Sequence, residues 1–203
     1  MLTKAKNSKE KIIKITMLGL LTALIMLFGL TPIGYIPTGL GFNITFLSVP
    51  VALGAVLMGP SAGAFLGLIF GLTSVYQGVT GMDPAGPALF ASNAFGASVT
   101  CLVPRILMGL FVGLIAMLLI GLRKRLVAGE IATYAIIAAC ASFLNTLMFL
   151  GAFWAFFGGF TFASFISTVF ALNAVLELVF AVVVTPPIAK AFFHVYSRIT
   201  KKI

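Results

Sequence analysis

Residues 43–74 read NITFLSVPVALGAVLMGPSAGAFLGLIFGLTS and contain no charged side chain. The uncharged stretch extends outward from residue 15 to residue 82, and a second one runs from residue 131 to residue 176. Of the 203 residues, 61% are hydrophobic and only 8% are charged, against about 25% charged in an ordinary soluble domain. Because so few polar residues cannot cover the surface of a soluble protein of this length, the sequence predicts an integral membrane protein.

Proline, glycine and charged residues divide the chain into six apolar segments that are suited to cross the bilayer as helices. The sequence therefore predicts an all-α membrane protein that forms a single domain over residues 1–203. The six predicted transmembrane helices lie near residues 12–30, 43–59, 62–78, 104–122, 130–152 and 163–189.

The basic residues determine the predicted orientation. Twelve of the thirteen Lys and Arg residues lie in the amino-terminal tail, in the 123–125 loop or near the carboxyl end. With six spans these regions share one side of the membrane, and the positive-inside rule makes that side the cytoplasm. The sequence thus predicts a multi-pass protein with both termini cytoplasmic. Its net charge of +9 is explained by this topology, and we expect no nucleic-acid partner.

Motifs for enzymatic chemistry are missing from the sequence. The chain has a single histidine, His194, and it contains no GxSxG, HExxH or phosphate-binding GxxxxGK[ST] pattern. The two cysteines, Cys101 and Cys140, are too far apart for a CxxC site and are expected to be free thiols. We therefore expect no catalytic residues, no metal site and no bound cofactor.

A few polar residues interrupt the apolar segments, toward the outer half of the predicted bundle. Arg105 is predicted at the start of the fourth span, Asn145 lies in the fifth, and Asn173 and Glu177 share one face of the sixth. Because a charge within the bilayer is costly, we expect these four residues to line one polar pocket. Arg105, beside the positive end of its helix, would attract an anion such as a carboxylate. The alternative is structural: Arg105 reaches the lipid headgroups, and Glu177 is neutral or bonded within the bundle.

Two outer loops, residues 31–42 and 79–103, are predicted to close over this pocket. The second is the longest connection in the chain, and connections of that length often bind ligands. The residues that we expect to gate the pocket are Tyr35, Pro37, Gly39 and Asp83. The further residues that we expect to contact a ligand are Tyr76, Gln77, Asn93 and Trp154.

Four segments carry a resemblance to a known family. They are TPIGYIP at 31–37, the uncharged stretch at 43–74, LVPRILMG at 102–109 and the Asn173-x-x-x-Glu177 pair. In these segments, and over essentially the whole chain, the sequence resembles the substrate-binding S components of energy-coupling factor (ECF) vitamin transporters. Within that family the GA-x-x-x-GP-x-x-GA-x-x-G block is most similar to the pantothenate-type branch.

The resemblance implies a protein of the bacterial cell membrane that binds a vitamin from outside and has no energy source of its own. Such proteins dock on a membrane coupling subunit, the T component, which is joined to two cytoplasmic ATPase subunits. In the family a small-residue face on the first span makes this contact, and the nearest match here is Gly19 with Ala23. Many relatives have histidine near position 48, where this chain has Ser48.

Pantothenate is the expected vitamin, because it offers a carboxylate to Arg105 and two hydroxyls and an amide to the Asn and Glu residues. Other substrates of such transporters stay open, namely riboflavin, pyridoxine, hydroxymethylpyrimidine and cobalamin. A small oligomeric channel or exporter is the alternative from another class. It is disfavoured because the inner halves of the spans are nearly all apolar, and a membrane enzyme is disfavoured by the missing catalytic groups.

Overall fold

The computed structural model describes residues 2–31, 35–37, 43–122, 129–158 and 171–201, with side chains over 11–31, 45–122, 129–158 and 175–194. The described part is helical apart from one short hairpin. Its helices are α1 (Leu2–Leu30), α2 (Ser48–Met58), α3 (Pro60–Thr80), α4 (Gly86–Ser92), α5 (Ala94–Leu122), α6 (Glu130–Phe157) and α7 (Ala171–Lys201). The hairpin consists of β1 (Tyr35–Pro37) and β2 (Asn43–Thr45), paired antiparallel with Tyr35 opposite Thr45.

Five of the described helices contain segments long and apolar enough to cross a membrane. These segments are Lys11–Leu30, Pro60–Thr80, Ala94–Leu122, Glu130–Phe157 and Val175–His194. A further apolar helix, α2, has 11 residues and is therefore only about 16 Å long. Five full spans and one short helix agree with the predicted all-α fold of six membrane segments. In the second predicted segment, residues 43–45 form β2, and the helix covers only Ser48–Met58.

The region 79–103, which the sequence predicts to be a loop, is mostly helical. It contains α4, and α5 begins at Ala94, ten residues before the predicted start of the fourth span. Pro104 lies inside α5, because membrane helices accept proline where another group bonds the carbonyl that proline leaves without a donor. Arg105 therefore lies eleven residues into its helix, and the prediction that it begins the span is wrong.

Glycines let α3 and α5 pack with their backbones in direct contact, in the most extensive interface between described helices. A methyl group on Gly63 would overlap the carbonyl of Gly109, and one on Gly67 would overlap the carbonyl oxygen of Arg105. Because lipid supplies no hydrophobic force between helices, close van der Waals contact of this kind holds them together. The α3–α5 contact therefore sets the position of the α5 backbone at Arg105.

The hairpin is attached to α7 by the end of β2 and the residue that follows. The backbone N–H of Thr45 donates to Glu177 Oε1 at 2.9 Å, and the ring centroids of Phe46 and Phe180 are 4.0 Å apart. The chain then enters α2, where nine of the eleven residues are buried. Buried side chains of the same core are Leu21, Ile25, Leu66, Phe70, Met108, Val112 and Ile137. The hairpin thus connects α7 to the apolar core around α2.

Helix α1 is joined to α3 near its carboxyl end. Gln77 Nε2 donates to the carbonyl oxygen of Gly29 at 2.6 Å, and Gly29 lies so close to Thr73 that it has no room for a methyl group. A smaller share of α1 is buried than of any other candidate span in the described chain. Gly19 and Ala23 are on the exposed surface of α1, and a Cβ built on Gly19 would meet no atom within 4 Å.

Candidate functional site

Pro104 removes a hydrogen bond from α5, and Arg105 replaces it. In a regular helix the N–H of residue 104 would donate to the carbonyl oxygen of Thr100, but proline has no N–H. The Arg105 side chain turns back along the helix, and its Nη1 donates to that oxygen at 2.7 Å. Arg105 is only 7% exposed. The two neighbouring residues thus place a guanidinium inside the bundle while the carbonyl of Thr100 keeps a donor.

Two aromatic rings from other helices flank the Arg105 guanidinium. Its Cζ lies 4.6 Å from the ring centroid of Phe149 on α6 and 5.3 Å from that of Phe70 on α3. At such distances the negative face of an aromatic ring attracts a cation. The orientation of Arg105 is therefore set by three helices, which are α3, α5 and α6.

Among the acidic residues whose side chains the structure describes, Glu177 on α7 is the one that is buried, at 8% exposure. Its carboxyl group accepts the backbone N–H of Thr45 and a hydrogen bond from the Asn145 side chain, and it interacts electrostatically with Arg105. Hydrogen bonds and charge therefore join residues from β2, α5, α6 and α7. We call these residues the polar cluster, and its members are Thr45, Thr100, Arg105, Asn145 and Glu177.

The polar cluster contains three of the four residues that the sequence places in a pocket, Arg105, Asn145 and Glu177. Asn173 lies in α7 one turn before Glu177, and its side chain is outside the described residues. Because Arg105 is buried, it does not extend to the lipid headgroups. The positive helix terminus does not reinforce its charge, since that effect fades beyond the first turn and Arg105 lies further inside α5.

The other predicted ligand contacts lie outside the polar cluster. Gln77 is buried, but its amide bonds to the backbone of Gly29 and joins two helices. Tyr76 and Trp154 are 47% and 61% exposed. Asn93 caps the amino terminus of α5, because its Oδ1 accepts the N–H of Gly96 at 2.8 Å.

Among the predicted gating residues, Asp83 lies in the turn between α3 and α4. Its Oδ1 accepts the N–H of Ala85 at 3.3 Å, and its own N–H donates to the carbonyl oxygen of Gln77. Burial raises the pKa of Asp83 above its ordinary value, while the Ala85 N–H and the positive charge of Arg105 act to lower it. The turn is thus within electrostatic reach of the polar cluster. The remaining gating candidates have side chains, or all their atoms, outside the described residues: Tyr35, Pro37 and Gly39.

Four residues of this region were not predicted from the sequence, and they are Thr45, Phe70, Thr100 and Phe149. The sequence does carry a signal for Thr100, because it lies four residues before Pro104 and its carbonyl therefore needs another donor. The two rings and Thr45 come from other segments of the chain. No local pattern indicates that they approach Arg105 or Glu177.

The polar cluster combines a cation, an acid, hydroxyls and an amide in an otherwise apolar bundle. The described residues include no group of three His, Cys, Asp or Glu that could hold a metal ion. A few converging polar groups within apolar walls are typical of a binding site for a small molecule. The arrangement suits a ligand with an anionic end and several hydrogen-bonding groups.

Comparison with known proteins agrees with the family resemblance seen in the sequence. The model of the family described as ECF transporter, substrate-specific component, matches residues 13–189. The pantothenate transporter PanT of Leuconostoc mesenteroides is 37% identical over 112 residues, covering 53% of this chain and 52% of that protein. The pantothenic acid transporter PanT of Lactococcus lactis subsp. cremoris is 30% identical over 154 residues, covering 72% of this chain and 76% of that protein. The chain thus matches 52% of the length of the first relative and 76% of the second.

Proposed function

The chain belongs to the family of substrate-specific components of ECF transporters, and from this premise we propose that it captures pantothenate at the polar cluster. Such a component binds a substrate for transport and is not an enzyme. Its apolar helices make it a multi-pass membrane protein. The observation that carries the proposal is the buried Arg105, which interacts electrostatically with the buried Glu177 that Asn145 bonds. Two relatives of the chain are named as pantothenate transporters.

The chemistry of pantothenate matches the groups of the polar cluster. Pantothenate has a carboxylate at one end, two hydroxyls toward the other end and an amide between them. Arg105 would bind the carboxylate, since a guanidinium forms charge-assisted hydrogen bonds with that group. Glu177 and Asn145 would bond the hydroxyls and the amide, and Asn173 would extend this set by one helical turn.

We expect pantothenate to remain bound when the protein is purified in detergent, because a buried site with a cation releases an anion slowly. Mass spectrometry of the denatured sample should identify it. Labelled pantothenate should then bind the purified protein, and an excess of riboflavin, pyridoxine, hydroxymethylpyrimidine or cobalamin should not displace it. Recovery of one of those vitamins, with displacement of pantothenate by it, would contradict the assignment of the substrate.

We further propose that two regions, the β1–β2 hairpin and the turn at Asp83, gate the site. The hairpin that contains Tyr35 and Pro37 is joined to the polar cluster, since Thr45 at the end of β2 bonds Glu177. The turn at Asp83 is within electrostatic reach of Arg105. Both regions lie next to the groups that would hold the substrate, so movement of either one would change access to them.

The energy for uptake would come from other subunits. We propose that a membrane T component and two cytoplasmic ATPase subunits form the transporter together with this chain. The termini and the 123–125 loop would be cytoplasmic, in agreement with the distribution of Lys and Arg. The support for the docking face is the exposed surface of α1 at Gly19 and Ala23, where small residues allow another helix to approach closely.

Substitutions on this face of α1 are expected to separate transport from binding. Gly19→Leu and Ala23→Leu should each impair uptake of labelled pantothenate into cells by the complete transporter, because a large side chain would hold the T component away. Binding by the isolated subunit should not change. Gly151→Leu is the matched control, since Gly151 is also a helical glycine with no atom within 4 Å of its Cβ position. Normal uptake by both α1 variants would show that docking occurs elsewhere.

A further inference from the structure

Several buried side-chain oxygens have no hydrogen-bond partner among the described residues. They belong to Thr22, Thr45, Thr100, Asn145 and Thr185. Buried polar atoms are nearly always bonded, so each exception calls for an explanation, such as a group that binds there. Three of these oxygens lie in the polar cluster, on Thr45, Thr100 and Asn145.

Thr100 differs from several other hydroxyl residues in the helices of the described chain. In a helix the hydroxyl of Ser or Thr commonly bonds a carbonyl oxygen one turn earlier. Ser98 does so with Ala94 at 2.8 Å, and Thr80 does so with Tyr76 at 2.8 Å. Thr100 is only 3% exposed, and its hydroxyl has no such bond within the described chain. That hydroxyl belongs to the residue whose carbonyl oxygen accepts Arg105 Nη1.

Thr45 is to Glu177 what Thr100 is to Arg105: its backbone bonds the charged side chain while its own hydroxyl has no partner among the described residues. Its backbone N–H donates to Glu177 Oε1 at 2.9 Å, while its own Oγ1 is buried with no partner among the described residues. The Asn145 side chain also bonds Glu177, and its amide oxygen Oδ1 is likewise buried with no partner among the described residues. Each charged residue of the polar cluster is therefore accompanied by a threonine that offers an unused hydroxyl.

We propose that the hydroxyls of Thr45 and Thr100 bind the substrate directly. This inference rests on the proposed function. Thr100 donates its O–H to the same carboxylate that Arg105 holds. Thr45 contributes to the opposite end, where its hydroxyl bonds a substrate hydroxyl together with Glu177 and the amide oxygen of Asn145. The two threonines thus add specificity for a ligand that has an anion at one end and a hydroxyl at the other.

The test uses substitutions that remove one hydroxyl and keep the shape of the side chain. Thr45→Val and Thr100→Val should each weaken the binding of labelled pantothenate about five- to tenfold, the usual effect of losing one hydrogen bond to a buried ligand. Thr45→Ser and Thr100→Ser should retain most of the affinity. The controls are Thr22→Val and Thr185→Val, which remove equally unused hydroxyls outside the polar cluster and should leave the affinity unchanged.

A second ligand distinguishes the roles of the two threonines. In pantothenol a primary alcohol replaces the carboxylate of pantothenate. Thr100→Val should lower the preference for pantothenate over pantothenol, because Thr100 contacts the carboxylate. Thr45→Val should weaken both ligands equally. Unchanged affinity in both valine variants, or an equal loss in the controls, would overturn the proposal.

The melting temperature of the protein without ligand tests the same inference independently of the vitamin. A hydroxyl with no partner in the protein contributes nothing to its stability, so Thr45→Val and Thr100→Val should keep or raise the melting temperature. A clear decrease would show that the hydroxyls are bonded within the protein and would overturn the proposal. Failure of the wild-type protein to bind pantothenate, with the melting temperatures as expected, would instead contradict the proposed substrate.

Discussion

Arg105→Ala is expected to weaken the binding of pantothenate at least tenfold, which corresponds to about 1.4 kcal/mol. The guanidinium is the buried cation that would hold the carboxylate, and it lies where water cannot easily replace it. Arg105→Lys keeps the charge but loses the planar group between the rings of Phe70 and Phe149, so its affinity should be intermediate. Equilibrium binding of labelled pantothenate to purified protein measures all three affinities.

The structure also requires a control, because Arg105 supports the helix as well as the site. Arg105→Ala leaves the carbonyl oxygen of Thr100 without the donor that it has in the wild type. The double variant Pro104→Ala/Arg105→Ala restores a backbone N–H at residue 104 and thereby the regular helical bond. If the double variant binds as weakly as Arg105→Ala, the charge is what binds the substrate. Recovery of wild-type affinity would show that Arg105 serves only the helix.

Gly67→Ala is expected to destabilise the protein by about 1–3 kcal/mol, the usual cost of excess volume in a packed interior. The added methyl group would overlap the carbonyl oxygen of Arg105, so α3 and α5 would have to separate. Since the α5 backbone at this point positions the guanidinium, pantothenate affinity should fall as well. The melting temperature in detergent and the dissociation constant of pantothenate measure the two effects.

Gly151→Ala provides the comparison for Gly67→Ala. Gly151 is a glycine inside a membrane-spanning helix, but its Cβ position has no atom within 4 Å. The alanine variant should keep wild-type stability and affinity, and it controls for the higher helix propensity of alanine. Equal behaviour of the two variants would show that the α3–α5 contact does not limit the position of Arg105.

The sequence predicts the fold well because hydropathy is a strong signal in membrane proteins. Long uncharged stretches indicate the spans, and the structure contains them with shifted ends. The largest error concerns residues 79–103, where glycine, proline and Asp83 suggest a loop. In the structure the short helix α4 and the beginning of α5 occupy most of this region. Proline is a weak helix breaker in an apolar segment when a side chain such as Arg105 bonds the freed carbonyl.

The site is only partly predictable, and the reason is physical. Arg105 and Glu177 can be predicted as site residues from the sequence, because a charged side chain is costly within a membrane. Gln77 is also predicted to be a ligand contact because it is a polar residue in an apolar segment, but in the structure its side chain joins α3 to α1. Thr45 gives no such signal, and for Thr100 the sequence indicates only that its carbonyl, four residues before Pro104, needs another donor. The role that we propose for their hydroxyls rests on which buried hydrogen-bonding groups have partners, and that is visible only in the folded structure.

The short helix α2 has a consequence for the cell's ion gradients. At about 16 Å it covers roughly half of the hydrocarbon thickness, with the polar cluster near its amino-terminal end at Thr45. From Val49 to Met58 no side chain has a polar atom, and buried apolar residues such as Met108 and Val112 belong to the same core. Side chains of this kind offer an ion or a proton no group to bond as it crosses. We therefore expect copies of the protein that are not transporting to leave the membrane potential unchanged.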